Sequence, residues 1–309
     1  MKILASRRFP GPAWEELDDV EYLGAPLPEG LDGVRADVDA LAVVGETVDD
    51  RSLGLLPNLG LVANYGVGYD TIDVAACARR GVPVTNTPGV LDAATADLTM
   101  ALILALQRRV VEADRFVRSG RWASDWARPT FHSQDVTGAT LGIVGLGRIG
   151  RALARRAAGF ELRLLYTRRN RLEEREEREL GVEYRELDAL LAEADVVTLH
   201  VPLTAETRGL IDAARLALMR DGTSLVNTAR GAIVDEPALV RELVGGRLRA
   251  ALDVYTEEPR VPEELLGLPN VILTPHIASA TQATREAMTR VLVDNLLAAG
   301  AGCPLPNQV

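Results

Sequence analysis

The sequence predicts an α/β protein built as two doubly wound parallel-sheet domains. Three observations carry that prediction. Short apolar runs alternate with helix-like segments along the whole chain, the pattern of repeated βαβ units. One of those runs, residues 141–144, enters a glycine turn, Gly145-Leu146-Gly147-Arg148-Ile149-Gly150, that opens an amphipathic helix ending near 158. A full set of α/β elements already precedes that turn, so the turn belongs to a second domain.

Before the turn, strands are expected at 2–5, 40–44, 61–64 and 82–85, with a helix over 71–80 that Gly81 and then Pro83 end. Residues 91–117 read as one long helix carrying the chain into the second domain. Asp92 and Asp97 sit near its N-terminus, its middle is apolar, and Gly120 stops it. The stretch 121–138 is a loop holding Trp122, Trp126 and Phe131, aromatics suited to dock on a partner subunit, line a substrate site or pack under the helix. After the turn, strands are expected at 162–166, 196–201, 223–227, 250–254 and 271–273, with helices at 187–193, 213–220 and 236–245. Residues 168–179 are densely charged and read as a solvated helix. A last helix over 281–299 returns the chain to the first domain. The expected division is 1–97 with 281–309 as a discontinuous, flavodoxin-like substrate domain. Into it is inserted 98–280, a larger Rossmann dinucleotide-binding domain that includes the linker helix.

Composition narrows the partners. A formal charge of −10 leaves no general basic face for nucleic acid or an anionic membrane. The richest apolar run, 98–106, is too short to span a bilayer. No signal peptide is expected, because the chain runs from Met1 into Arg7-Arg8 without a long apolar core. Cys77 and Cys303 lack paired ligand spacing, so no metal site is expected, and they suit a reducing, cytoplasmic setting.

In the glycine turn, Gly145 permits the tight bend, Gly147 lets the backbone approach a pyrophosphate, and Gly150 lets the helix pack against the strand. Arg148 and Ile149 begin the helix whose N-terminus faces the phosphates. A site for NAD places a carboxylate about twenty residues on, at the adenine ribose. Here the second strand ends in Thr167-Arg168-Arg169-Asn170, with no acid. Thr167 and two guanidiniums suit a 2′-phosphate, so NADP(H) is the expected cofactor, with NAD(H) as the other possibility; the alternative is a solvated turn pairing with residues 173–179.

Ligands of an open parallel sheet lie beyond the carboxyl ends of its strands. Those ends carry Gly66-Val67-Gly68, His200-Val201-Pro202, Thr228-Ala229-Arg230, Asp253 with Glu257 and Glu258, and His276. Hydride transfer to a 2-keto acid needs a carboxylate anchor, a carbonyl polariser and a proton donor. Arg230 can supply the first two with its planar fork, and the loop at 66–68 can add backbone amides. His276 can supply the proton, with Glu258 favouring its charged form. His200 more simply lines the cofactor or packs beneath it.

Five motifs in register give the chain a resemblance to the D-isomer-specific 2-hydroxyacid dehydrogenases over essentially its whole length. They begin at Asn64-Tyr65-Gly66-Val67-Gly68 and Val144-Gly145-Leu146-Gly147. They continue through Asn227-Thr228-Ala229-Arg230-Gly231, Leu252-Asp253-Val254-Tyr255-Thr256-Glu257-Glu258-Pro259 and Thr274-Pro275-His276. The resemblance implies catalytic positions for Arg230, Glu258 and His276, a carboxylate-binding loop at Val67 and Gly68, and a nicotinamide carboxamide contact at Asp253. It also implies that Val201, Pro202, Thr228 and Ala229 line the cofactor, and that the enzyme is a homodimer. Thr87-Pro88-Gly89-Val90-Leu91, the tryptophan loop and the missing ribose acid look most like glyoxylate and hydroxypyruvate reductases, in which a loop aromatic reaches the partner's site; Trp126 is the candidate. The rivals are another 2-hydroxyacid or phosphite dehydrogenase of the family, and a non-enzymatic dinucleotide-sensing protein, which the intact Arg230, Glu258 and His276 set disfavours.

Overall fold

The computed structural model describes residues 1–122 and 131–309. Two compact units emerge, Met1–Leu91 with Ser279–Val309, and Asp92–Ala278.

In the first unit five parallel strands, β1 (Ile3–Ala5), β2 (Val20–Tyr22), β3 (Ala40–Val43), β4 (Leu61–Asn64) and β5 (Val84–Thr85), pair in the order β2-β1-β3-β4-β5. That is the flavodoxin-like order. Strands β1, β3 and β4 are buried along their length, as central strands covered on both faces must be. β2 is an edge strand with no buried residue, so it carries no apolar run, and the sequence pattern missed it. The helix Val74–Arg79 is capped by the Asp73 carboxylate, which accepts from the Ala76 amide. The C-terminal helix Gln282–Gly300 closes this unit, and the Tyr65 hydroxyl donates to the Arg285 carbonyl within it.

The second unit is a seven-stranded parallel sheet. Its strands are β6 (Thr140–Val144), β7 (Arg163–Thr167), β8 (Val182–Tyr184), β9 (Val196–Leu199), β10 (Ser224–Asn227), β11 (Arg249–Leu252) and β12 (Val271–Leu273). They pair as β12-β11-β10-β9-β6-β7-β8, so the order reverses between β6 and β9. This is the Rossmann arrangement, with its crevice at that reversal. Alternate side chains feed two cores on opposite faces. Leu141, Ile143, Tyr166 and Val226 pack with the helices Asp92–Gln107 and Arg148–Ala157, whereas Val144, Val197, Leu199 and Leu225 pack with Leu187–Glu193 and Glu236–Val244.

Two expectations need correction. The single helix over 91–117 is two, Asp92–Gln107 and Val110–Arg118, because Arg109 takes a left-handed φ of 52° and ends the first hydrogen-bonded run. The charged stretch 168–179 is not one solvated helix. Its helix begins at Glu174, and Glu177 on it is buried. Edge strand β8, a short segment after that charged run, was also missed by the pattern.

Candidate active site

Strand β6 delivers the chain into the glycine turn with all five residues buried. Gly145 has φ +98°, and a Cβ there would lie 2.7 Å from the His200 carbonyl, whose own amide donates to the Val144 oxygen at 2.7 Å. A Cβ on Gly150 would lie 2.4 Å from the Gly145 oxygen, so these two glycines are demanded by the protein itself. Gly147 differs. A Cβ there meets none of the described residues within 4 Å. It is the N-cap of the helix Arg148–Ala157, and among the described residues no acceptor takes the first-turn amides, beside exposed Arg148 and half-buried Ile149. These residues fit a dinucleotide pyrophosphate.

The turn after β7 is tied to this one, because the Gly145 amide donates to the Thr167 carbonyl at 2.9 Å. Thr167 and Arg168 are half-buried and Arg169 is exposed. Among the described residues no hydrogen bond or ion pair engages the guanidinium of Arg168 or Arg169. After β9, the His200 Nε2 lies 3.0 Å from the buried Thr198 hydroxyl, and burial pushes the imidazole down to about 4. Val201 and Pro202 follow it, half-buried and exposed.

At the far strand ends, the Asn227 side chain shapes the turn after β10, donating to the Arg230 carbonyl at 2.8 Å and accepting from the Ala229 amide at 3.0 Å. The Thr228 hydroxyl shares a 2.9 Å hydrogen bond with Thr99 of the helix Asp92–Gln107, and Arg230 is half-buried. His276 Nδ1 lies 2.7 Å from Glu258 Oε2, and the other Glu258 oxygen accepts from the Tyr255 amide at 3.0 Å. Burial raises the Glu258 carboxyl. The His276 and Tyr255 hydrogen bonds and the charges of His276 and Arg230 outweigh it and hold the group below the ordinary carboxylate range.

His276 has φ +53°, a left-handed value for a residue with a side chain. The turn around it is held by Asp253, which is completely buried. The Asp253 carboxylate accepts from the Thr274 hydroxyl at 2.6 Å and from the Ile277 and Ala278 amides at 2.9 Å each, and its carbonyl accepts from the His276 amide at 2.9 Å. Thr274 and Tyr255 are supports that sequence reasoning missed.

In the first unit, the loop after β4 has all three of its carbonyls occupied. Asn64 Nδ2 donates to those of Gly66 and Gly68, at 3.1 and 2.9 Å, and Asn86 Nδ2 donates to that of Val67 at 3.0 Å. Among the described residues no acceptor takes the amides of Val67 or Gly68, which leaves two donors for an anion. Trp126 lies outside the described residues, and Trp122 is exposed.

Comparison with known proteins places the chain. The family D-isomer specific 2-hydroxyacid dehydrogenase, NAD binding domain, matches residues 100–278. A glyoxylate reductase of Thermococcus litoralis is 49% identical over 284 residues, 90% of this chain and 85% of that protein. The chain belongs to the D-isomer-specific 2-hydroxyacid dehydrogenases. A glyoxylate reductase of Aeropyrum pernix is 44% identical to this dehydrogenase across 99% of its length and 91% of the relative's. Among solved structures, an NADPH-dependent glyoxylate/hydroxypyruvate reductase from Sinorhizobium meliloti, in complex with NADP and malonate, matches with a TM-score of 0.91 and 36% identity over 100% of this chain and 96% of that one. This dehydrogenase is therefore an NAD(P)-dependent oxidoreductase acting on a small molecule.

Proposed function

We propose that the enzyme reduces glyoxylate or hydroxypyruvate to the 2-hydroxy acid with NADPH in preference to NADH. The observation that carries the chemistry is the 2.7 Å pairing of His276 with Glu258, with the Arg230 charge acting on the same carboxylate. Gly145, Gly147, Arg148, Ile149, Gly150, His200, Val201, Pro202, Thr228, Ala229 and Asp253 are the residues that would hold the dinucleotide, which supplies the hydride when bound. Arg230 binds the substrate carboxylate and polarises its carbonyl. The Val67 and Gly68 amides are the anion donors proposed for the first unit. As the carbonyl carbon gains its hydrogen and the carbon–oxygen π bond breaks, His276 gives a proton to the forming alkoxide. Its Nδ1 is engaged by Glu258, so the proton leaves from Nε2. Glu258 keeps the ring oriented. Trp126 is assigned to the substrate.

The preference for NADPH rests on Thr167, Arg168 and Arg169, a turn with no acid and with two guanidiniums that, among the described residues, are not committed to ion pairs. The similarity to glyoxylate reductases supports the substrate. Initial rates with glyoxylate and hydroxypyruvate, each with NADPH and NADH, test both halves. A lower KM for NADPH that Arg168→Asp reverses supports the cofactor assignment, and no turnover of any 2-keto acid would sink the reductase reading in favour of a binding protein. We also propose a cytoplasmic homodimer. The free thiols of Cys77 and Cys303 fit a reducing compartment, and the helix Val110–Arg118 buries none of its residues and exposes Val110 and Val117. Light scattering that returns the mass of one chain at micromolar concentration would overturn the dimer.

A further inference from the structure

We infer that Glu177 is a specificity-determining positioning residue: with Tyr166 and Arg171 it clamps the turn that presents Arg168 and Arg169 to the 2′-phosphate of the cofactor. The inference rests on the NADPH preference proposed above. Tyr166 is the fourth residue of β7, with its ring fully buried. Its hydroxyl reaches past the end of the strand, accepting from the Leu172 amide at 2.9 Å and donating to Glu177 Oε1 at 2.7 Å. Arg171 clasps the same carboxylate with two bonds, Nε to Oε1 at 2.8 Å and Nη2 to Oε2 at 2.9 Å, and its guanidinium lies over the Tyr184 ring. Tyr184 in turn packs edge-on against Tyr166.

These bonds close a loop from Tyr166 to Leu172. At its entry the Thr167 carbonyl is fixed by the Gly145 amide, so the turn is tied to the glycine motif on one side and to Glu177 on the other. Only Arg168 to Asn170 lie between the ties. The clamp also sorts the charges. Arg171 is neutralised by Glu177, and this carboxyl is held down to about 2, chiefly by the Arg171 hydrogen bonds and then by that of Tyr166. Arg168 and Arg169 are the cations left to the turn. The Arg169 charge also acts in small part on Glu206, whose carboxyl is lowered chiefly by the Thr204 hydroxyl. An acid inside a run of charges thus has a specific function, which is to fix where two cations stand.

The test compares Glu177→Gln and Tyr166→Phe with wild type and with Arg168→Gln, measuring KM and kcat for NADPH and for NADH at saturating 2-keto acid. A charged hydrogen-bond network of this kind supports an expected rise in KM for NADPH of about tenfold in both clamp variants, with kcat and the KM for NADH within about twofold. Tyr166→Phe removes one oxygen from a buried ring and guards against a variant that fails to fold. KM values that rise equally for the two cofactors would mark the clamp as merely structural and overturn the inference, as would no change. A lower KM for NADPH in Glu177→Gln would overturn it too, by showing that Glu177 withholds Arg171 from the phosphate. Arg168→Gln judges the underlying assignment separately. If it leaves the NADPH preference intact while the clamp variants erase it, the clamp stands and Arg169 is the cation it positions.

Discussion

Asp253 holds His276 in a left-handed backbone conformation from inside the protein. A side-chain-bearing residue in that region costs about 1–3 kcal/mol, so it persists only where its surroundings over-determine it. Here they do, because one buried carboxylate and its own carbonyl receive four donors from the five residues Thr274 to Ala278. Asp253→Asn keeps the volume but turns one acceptor into a donor that faces a backbone amide. We expect it to lower stability by about 1–3 kcal/mol. A misplaced His276 should further reduce kcat by about a hundredfold. Thermal melts and steady-state kinetics would measure both, and an unchanged kcat in a folded variant would show that the turn does not depend on the carboxylate.

The proton donor and its carboxylate partner should be separable by kinetics. His276→Asn removes the donor and should reduce kcat by about 10²–10⁴-fold, the ordinary worth of a positioned acid. Glu258→Gln leaves the imidazole in place without its hydrogen-bonded partner, so its loss should be smaller. Steady-state kinetics of the two variants read this directly; an unchanged kcat in a folded Glu258→Gln would show that the carboxylate has no part in the proton step.

How much of this was legible in the sequence depended on range and on pattern. Both sheets could be read, because parallel strands buried on two faces are continuous apolar runs and several are followed by a helix with a side-chain cap, as at Asp73, Asp212 and Asp235. The edge strands β2 and β8 lack that signature and stayed invisible. Arg109 breaks the long helix in a conformation no propensity favours in arginine. At the site, the residue types after each strand were plain, whereas the connections that aim them were not. Asp253 binds partners more than twenty residues away, and Glu177 looks like one more solvated acid until the Tyr166 hydroxyl is seen to reach it.

His200 should make the protein less stable in mild acid. Its ring is neutral in the folded state down to about 4 because burial disfavours the charged form, while in the unfolded chain it titrates near 6.5. Between those values the unfolded state binds a proton that the folded state does not. The contribution is therefore complete above 6.5 and is lost as pH falls toward 4. Melting temperatures from pH 8 to 4 should fall more steeply for wild type than for His200→Asn; parallel curves would show that the ring is not buried in solution.

The glycines of the turn should fail in different ways when each is given a methyl group. Gly145→Ala must place a Cβ 2.7 Å from the His200 carbonyl at φ +98°, so both sterics and backbone oppose it. It should destabilise the fold by at least about 1–3 kcal/mol, the cost of overpacking. Gly147→Ala meets none of the described residues within 4 Å and has φ −82°, which any residue adopts. Its stability should stay within about 0.5 kcal/mol of wild type, as for a surface change. Its methyl would instead stand where the pyrophosphate approaches, so its KM for dinucleotide should rise by about tenfold or more, since a lost charge-assisted contact is worth that much. Melts and cofactor titrations on the two variants give four numbers. Normal dinucleotide binding by a folded Gly147→Ala would show that the open space at that helix terminus is not the phosphate site.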